Sequence, residues 1–156
     1  MAEPHHSPDR VHSLLDTVAE ATRLEPTTRT PRQRRTRRSA KAAGARMETM
    51  AAAYLAENVD DRIERRVTNG ANDRGDLSSV RAPGGGRLVA ECKDYGGELK
   101  PGTWLTEAEI ERGNDDALAS FVVAKRRGVS DPGAQIVLMT LRDLAAILTG
   151  VRPEEA

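Results

Sequence analysis

Helical spacing of apolar residues predicts that the segment from Gly44 to Arg66 is an α-helix. Its apolar positions recur every three or four residues: Met47, Met50, Ala51, Tyr54, Leu55, Val59 and Ile63. That spacing places them on one face of a helix. A weaker version of the pattern between Val11 and Leu24 predicts at most a short helix, for which Asp9 is a candidate N-cap.

The rest of the chain alternates between short apolar runs and helical patterns. The predicted strands cover residues 67–73, 76–81, 87–93, 120–124 and 134–139. Residues 82–86 are glycine-rich and predict a hairpin turn between the second and third strands. Thr103 and Thr140 are candidate N-caps of two further helices, and Gly150 is placed to end the last one. The predicted order is helix, three strands, helix, two strands, helix.

This order predicts an α/β (α+β) fold with a mixed central sheet flanked by helices, over residues 44–150. A length of 156 residues suits one such domain with an appendage, and residues 151–156 form a tail. The sequence holds four aromatic residues, so aliphatic packing is expected to dominate the core. Core packing is also the favoured role of Trp104, ahead of base stacking.

Cysteine content and hydropathy limit the compartment and the kinds of metal or disulfide site that are expected for this protein. A single cysteine excludes an internal disulfide and a cysteine-based zinc cluster, and it suits a reducing compartment. The sequence has no apolar run long enough for a membrane span and no signal-peptide pattern at its start. A cytoplasmic protein with no membrane partner is therefore expected.

The formal net charge of zero conceals a basic segment. Between Thr27 and Met47 the basic residues are Arg29, Arg32, Arg34, Arg35, Arg37, Arg38, Lys41 and Arg46, with no acidic residue among them. Residues 25–43 have too little apolar content to fold alone, and residues 1–43 are predicted to be a largely disordered basic arm with its arginine-rich segment at 29–41. Such an arm suits DNA phosphates, with Arg34, Arg35, Arg37 and Arg38 as candidate contacts, although a solvated linker is the alternative.

Candidate chemistry is concentrated on the strand 87–93. Alternation along a strand places Glu91 and Lys93 on one face and Leu88, Ala90 and Cys92 on the other. An antiparallel hairpin would also bring Asp76 close to Glu91 and Lys93. Two carboxylates and a lysine can hold a hard divalent cation and orient a water molecule. The alternative is a strand-end salt bridge without metal.

The set Asp76, Glu91-Cys92-Lys93 resembles the core motif of PD-(D/E)xK nucleases. Gly44-x-x-x-Glu48 is similar to the helix-borne glutamate of archaeal Holliday-junction resolvases, and the predicted order of elements matches their restriction-endonuclease-like core. Together with Arg74-Gly75-Asp76, Trp104 and Lys125-Arg126-Arg127, the chain is similar to small resolvase-like proteins of actinobacterial phages. Gly75 stands where the motif has a proline, a departure expected to matter little.

The resemblance implies a role for each matched residue. Asp76 and Glu91 would bind Mg²⁺ or Mn²⁺, and the backbone carbonyl of Cys92 would complete the site. Glu48 would be a further ligand or act through a metal-bound water, and Lys93 would orient or activate the attacking water. The archaeal enzymes have a glutamine on the helix after the core; here Glu107 and Glu109 are both candidates for that place. The candidate phosphate contacts in the folded part are Arg74, Lys125, Arg126 and Arg127, of which the last three are equally well explained as a solvated turn.

The sequence therefore predicts a metal-dependent, structure-selective DNA endonuclease that resolves four-way (Holliday) junctions as a homodimer. A restriction-like or repair nuclease on other DNA substrates is one alternative, and a non-catalytic DNA-binding protein is another. All three histidines, His5, His6 and His12, lie in the predicted arm. The folded region is therefore expected to lack the histidine that HNH nucleases, zinc hydrolases and Ser-His-Asp enzymes need.

Overall fold

Three α-helices and five short strands make up the part of the chain that the structure, a computed structural model, describes: residues 36–66 and 73–154. In chain order they are α1 (Arg37–Asn58), β1 (Glu64–Arg65), β2 (Leu77–Ser78), β3 (Leu88–Lys93), α2 (Pro101–Asn114), β4 (Ala119–Ala124), β5 (Ile136–Leu138) and α3 (Leu141–Thr149). A 3₁₀ turn (Pro132–Ala134) precedes β5. The fold is α+β, and the order of its elements is the predicted one.

The main sheet has three strands, with β4 in the centre. Strand β3 pairs with β4 in parallel and β5 pairs with β4 antiparallel, so the sheet is mixed, as predicted. Every residue of β4 is buried, which fits a continuous apolar strand covered on both faces. Strands β1 and β2 form a separate two-stranded antiparallel sheet.

Helices cover both faces of the main sheet. On one face, α1 packs through Met47 and Ala51 against Ala90, Cys92 and other apolar side chains. On the other face, α2 packs through Trp104 and Ala108 against Val122 and Ala124 of β4. Trp104 is 2% exposed, so the prediction that it serves core packing is confirmed.

Helix α1 begins and ends about seven residues earlier than predicted. It starts at Arg37 because the Thr36 side chain accepts the N–H of Ser39 as an N-cap, and the alanine-rich stretch that follows has high helix propensity. The boundary of the predicted arm at residue 43 is therefore wrong, because Arg37 and Arg38 belong to the first helical turn. The helix ends at Asn58, and the chain turns before Ile63, which is buried without being helical.

The strands before β3 also differ from the prediction. Strand β1 lies at residues 64–65, ahead of the predicted first strand at 67–73, of which residues 67–72 lie outside the described part of the chain. Strand β2 has two residues, because Ser79 adopts a left-handed φ of 62° that interrupts the extended conformation. The predicted hairpin is nevertheless present, since Arg81 pairs with Arg87 in an antiparallel bridge and Leu88 N–H donates to Val80 O at 2.9 Å.

The start of α2 differs from the prediction, whereas the start of α3 agrees with it. Lys100 occupies the N-cap position of α2, since Pro101 suits the first helical turn, so Thr103 lies inside the helix. Thr140 caps α3 by accepting the N–H of Asp143, and Gly150 ends it with a φ of 78°, both as predicted.

The tail beyond residue 150 is tied to the domain by Arg152. Its guanidinium lies 2.7 Å from Asp143 Oδ1 and 2.9 Å from Glu109 Oε2. The predicted helix at 11–24, the three histidines, Arg34 and Arg35 lie outside the described residues. None of the helices in residues 36–66 and 73–154 is sufficiently long and apolar to cross a membrane.

Candidate active site

Two backbone contacts fix Asp76 against β3. Its N–H donates to Ala90 O at 2.9 Å, and its Oδ2 accepts the N–H of Cys92 at 2.7 Å. The chain approaches this closely because Gly75 has a φ of 91°, and a Cβ there would lie 3.0 Å from Val89 Cγ1. Proline cannot adopt that φ. Glycine is therefore required before Asp76, so the expectation that glycine in place of proline matters little does not hold at this position.

Glu91 and Lys93 project from the same face of β3, as the alternation predicted. Lys93 Nζ lies 2.8 Å from Glu91 Oε2 and 3.0 Å from Glu107 Oε2. Glu91 is 5% exposed, and the Lys93 side chain is 18% exposed. An ammonium group has three donors, so two ion pairs orient Lys93 and leave one donor for another oxygen.

Helix α2 supplies two carboxylates to this face. Glu107 is the candidate that reaches Lys93, whereas Glu109 turns away to pair with Arg112 and Arg152. Glu111, which the sequence reasoning missed, lies within hydrogen-bonding reach of Glu91. Residues i and i+4 share a helix face, so the pair 107 and 111 was the available signal.

Glu48 approaches the site from the α1 side of the sheet. Its carboxylate pairs with the guanidinium of Arg65, and its charge contributes to the raised pKa of Asp76. Asp76 therefore lies between two groups of acidic residues, with Glu48 towards α1 and Glu91 towards α2. The structure brings all four predicted site residues to one region, although Glu48 is engaged by Arg65.

Crowded carboxylates perturb the titration of this region. Burial, and then the charge of Glu91, raise the pKa of Asp76 to about 7, despite the hydrogen bond from the Cys92 N–H. Burial and the adjacent Glu111 raise the pKa of Glu91 to about 8, against the opposing effect of Lys93. Burial alone would lower the pKa of Lys93, but its bonds to Glu91 and Glu107 outweigh this and raise it. Lys93 is therefore a cation at neutral pH.

The oxygen atoms of this region are of the kind that binds a hard divalent cation, although the described residues form no complete set of metal ligands. Among the described residues, no three Asp, Glu, His or Cys side chains are grouped closely enough to hold a metal ion by themselves. However, Glu111 Oε2 is buried without a hydrogen-bond partner, and the Glu111 side chain lies next to the carboxyl of Glu91. Carboxylate and carbonyl oxygens suit Mg²⁺ or Mn²⁺, and a cation would relieve the repulsion among them. Burial raises the pKa of the Cys92 thiol, so its backbone carbonyl is the better candidate ligand.

The basic candidates of the folded part lie at two places. Lys125 follows β4, and its N–H donates to Lys93 O at 2.9 Å, which sets the exposed Arg126 and Arg127 near the end of β3. Lys125 Nζ itself is bonded to the carbonyl of Val129. Arg74 precedes Asp76 in the chain, is 57% exposed at its side chain and lies 3.7 Å from Asp115.

The raised carboxyl pKa values predict that stability without metal falls as pH rises. From about pH 4 to about pH 8, folded Asp76 and Glu91 hold protons that the unfolded chain has already released. Stability therefore decreases with pH across that window. Thermal unfolding in EDTA should give a lower midpoint at pH 8 than at pH 5. In the Asp76→Asn variant this fall should be smaller, because the amide does not ionise.

The matched control for this measurement is Asp131→Asn. Asp131 also accepts a backbone N–H, from Gly133 at 2.9 Å, but it is exposed and lies on the loop before β5. Its replacement should leave the pH dependence unchanged. Equal pH dependence in the wild type and Asp76→Asn would contradict the raised pKa of Asp76.

No protein-family model, curated protein or solved structure matches this chain significantly.

Proposed function

We propose that this protein is a metal-dependent endodeoxyribonuclease with a PD-(D/E)xK-type site on a restriction-endonuclease-like core. The observation that carries the proposal is the approach of Asp76 to β3, 2.7 Å from the Cys92 N–H, beside the buried Glu91–Lys93 pair. A mixed sheet with helices on both faces supports the proposed core. Several crowded carboxylates around one lysine, with Glu91 buried and Asp76 partly buried, are costly for structure alone, which favours a functional reason for them.

The carboxylates of Asp76 and Glu91, with the Cys92 carbonyl, would hold the ion. Glu48 would join them after release from Arg65, or act through a bound water. When bound, Mg²⁺ or Mn²⁺ would supply Lewis-acid polarisation of the phosphodiester and a water of lowered pKa.

Lys93 would orient the attacking water and stabilise charge on the phosphate oxygens. Its two carboxylate partners fix its position, and its raised pKa keeps it protonated. These properties suit a hydrogen-bond donor and an electrostatic stabiliser better than a general base. Glu107 would act as a positioning residue, because it touches Lys93 from the helix side.

The substrate that we propose is branched double-stranded DNA, above all the four-way junction. A junction has two symmetry-related strands to cut, which a homodimer with two sites would match. The outward face of α3 supports self-association, since Leu141, Leu144 and Leu148 follow helical spacing and are exposed, and Val151 just after the helix is exposed as well. The exposed Arg126 and Arg127 near Lys93 would contact backbone phosphates beside the cut.

One observation favours a non-catalytic DNA-binding protein as the second candidate. Lys93 is paired with both Glu91 and Glu107 without any metal, so the cluster is partly neutralised by its own lysine. A restriction-like or repair nuclease would use the same chemistry on another DNA substrate. Cleavage assays separate the three.

The deciding experiment compares a labelled four-way junction with a linear duplex of the same sequence, in Mg²⁺ and in EDTA. We expect paired, symmetric nicks on the junction that disappear in EDTA. Metal-dependent cutting of both substrates would retain the nuclease and reject the junction preference. Tight binding without cutting in Mg²⁺ or Mn²⁺ would reject catalysis and leave the DNA-binding protein.

A further inference from the structure

An open pocket lined by arginines lies at the opposite end of β3 from Lys93. Its volume is about 500 Å³, and its charged lining residues are Arg81, Arg87, Arg112, Arg152 and Asp116. Strand β3 begins beside it and Leu118, just before β4, forms part of its wall. Among the described residues of the lining, four cations therefore face one exposed carboxylate.

Two of these arginines oppose each other directly. Arg81 and Arg87 are partners in the antiparallel bridge of the hairpin, and like charges in directly opposite positions destabilise a strand pair. Both side chains line the pocket. An anion between the two guanidinium groups would convert this repulsion into attraction.

Hydrogen bonds to backbone carbonyl groups hold two of the arginine side chains in place. Arg87 Nη2 donates to Asp115 O at 2.6 Å, and Arg112 Nη1 donates to Ala117 O at 2.8 Å. Each guanidinium has five donors in a rigid fork, so several remain for a ligand. The arginines are thus held in position before any ligand arrives.

Most of the carboxylates that pair with these arginines lie outside the pocket; the exception is the exposed Asp116, which lies 3.9 Å from Arg87. Glu109 pairs with Arg112 and Arg152, and Asp143 also pairs with Arg152. Neither Glu109 nor Asp143 is among the residues that line the pocket. An entering anion would therefore meet the guanidinium groups first.

The pocket and the candidate active site share one side of the sheet. Arg87, Glu91 and Lys93 are separated by even numbers of residues, so alternation puts them on the same face. Arg87 lies six positions before Lys93 along the strand, a distance of roughly 20 Å. One DNA strand places about six phosphates over that length.

We propose that this pocket is a second phosphate-binding site. The source of the phosphate rests on the proposed function. In a nuclease that cuts branched DNA, the phosphate belongs to the backbone of a DNA arm that extends away from the cut. Planar arginine forks bind phosphate oxygens in pairs, and the open mouth of the pocket suits a backbone phosphate. A free phosphate or nucleotide is the other source of the same chemistry.

The first test measures binding of inorganic phosphate in EDTA and low salt, by titration calorimetry. We expect saturable binding to the wild type and at least tenfold weaker binding to R81A/R87A and, to a smaller degree, to R81A alone. Two matched proteins should bind as the wild type does: R46A/K100A, which loses two exposed cations elsewhere, and D76N, which is altered at the candidate active site. Absence of saturable binding to the wild type, or equal binding to R81A/R87A, would overturn the proposal whether or not the protein cuts DNA.

The second test identifies the source of the phosphate. Binding of the four-way junction in EDTA should weaken in R81A/R87A, and its log–log salt slope should become shallower by about one for each lost phosphate contact. Weaker phosphate binding with an unchanged DNA salt slope would keep the site and assign it to a free phosphate ligand. Saturable phosphate binding in a protein that never cuts DNA would reject the proposed function and retain the pocket.

Discussion

Replacing Asp76 with asparagine is expected to lower Mg²⁺-dependent DNA cleavage by at least about 100-fold, because the change removes a charged metal ligand. In the wild type, the Cys92 N–H donates to Asp76 Oδ2 at 2.7 Å. The side-chain oxygen of asparagine can accept the same hydrogen bond. The fold should therefore persist. At pH 8 the variant should even be more stable without metal than the wild type, since the buried charge is gone. Activity and stability would then move in opposite directions, which a merely structural aspartate would not produce.

The measurement is single-turnover cleavage of the labelled junction, with thermal unfolding of the same samples in EDTA. Asp131→Asn again provides the control, because it makes the same chemical change at another backbone-bonded aspartate. Its cleavage rate should match that of the wild type. If Asp76→Asn cut DNA at the wild-type rate, the assignment of the site would be wrong.

Replacing Trp104 with alanine is expected to lower the free energy of unfolding by about 3–5 kcal/mol, the usual cost of removing a buried tryptophan. Trp104 is among the largest fully buried side chains and joins α2 to Val122 and Ala124 of the central strand. Its ring also lies 5.3 Å from that of Tyr95, between centroids. The loss is a large part of the stability of a typical domain, so the variant should be partly unfolded near 37 °C.

Urea denaturation in EDTA measures this effect, and two variants calibrate it. Trp104→Phe should cost less than Trp104→Ala, because it keeps an aromatic ring in the cavity. Ile110→Ala on the same helix should change stability by no more than about 0.5 kcal/mol, as is usual for exposed positions. A cost for Trp104→Ala as small as that of Ile110→Ala would show that α2 is not anchored through the tryptophan.

Periodicity was sufficient to predict the order of elements and the faces of β3. Side chains alternate along any strand, so the grouping of Glu91 with Lys93 followed from spacing alone, and the glycine-rich turn indicated the hairpin that carries Asp76. Helix ends were less predictable. The start of α1 depends on the Thr36 cap and on burial of Ala43, and neither produces a recognisable apolar repeat.

The parts of the site that sequence reasoning missed depend on contacts between distant elements. Glu111 was missed because its importance arises from facing Glu91 across a helix–strand interface. The preference for Glu107 over Glu109 likewise depends on which side of α2 meets β3. In the sequence, Asp143 is marked only by its place three residues after Thr140, yet its carboxylate accepts Ser120 N–H at 3.1 Å and pairs with Arg152. Local spacing can group Glu107 with Glu111 on one face of the helix, but it does not show which residues of a distant strand that face meets.

The contacts between α2 and the strand β3 with its preceding residue Arg87 have a geometric consequence. Lys93 meets Glu107, Glu91 meets Glu111, and Arg87 meets Asp115, so the two elements run in opposite directions. The step from Glu107 to Glu111 advances about 6.0 Å along the helix, and the step from Lys93 to Glu91 advances about 6.6 Å along the strand, so these two contacts match. The next helical step, to Asp115, is met four strand residues further on, at Arg87, whose long side chain reaches to 3.6 Å from the carboxylate. Inserting one residue between Glu107 and Glu111 would rotate every later contact by about 100°, whereas lengthening the loop before α2 would leave these contacts aligned. Evolution could therefore vary that loop freely while the spacing within the helix stays fixed.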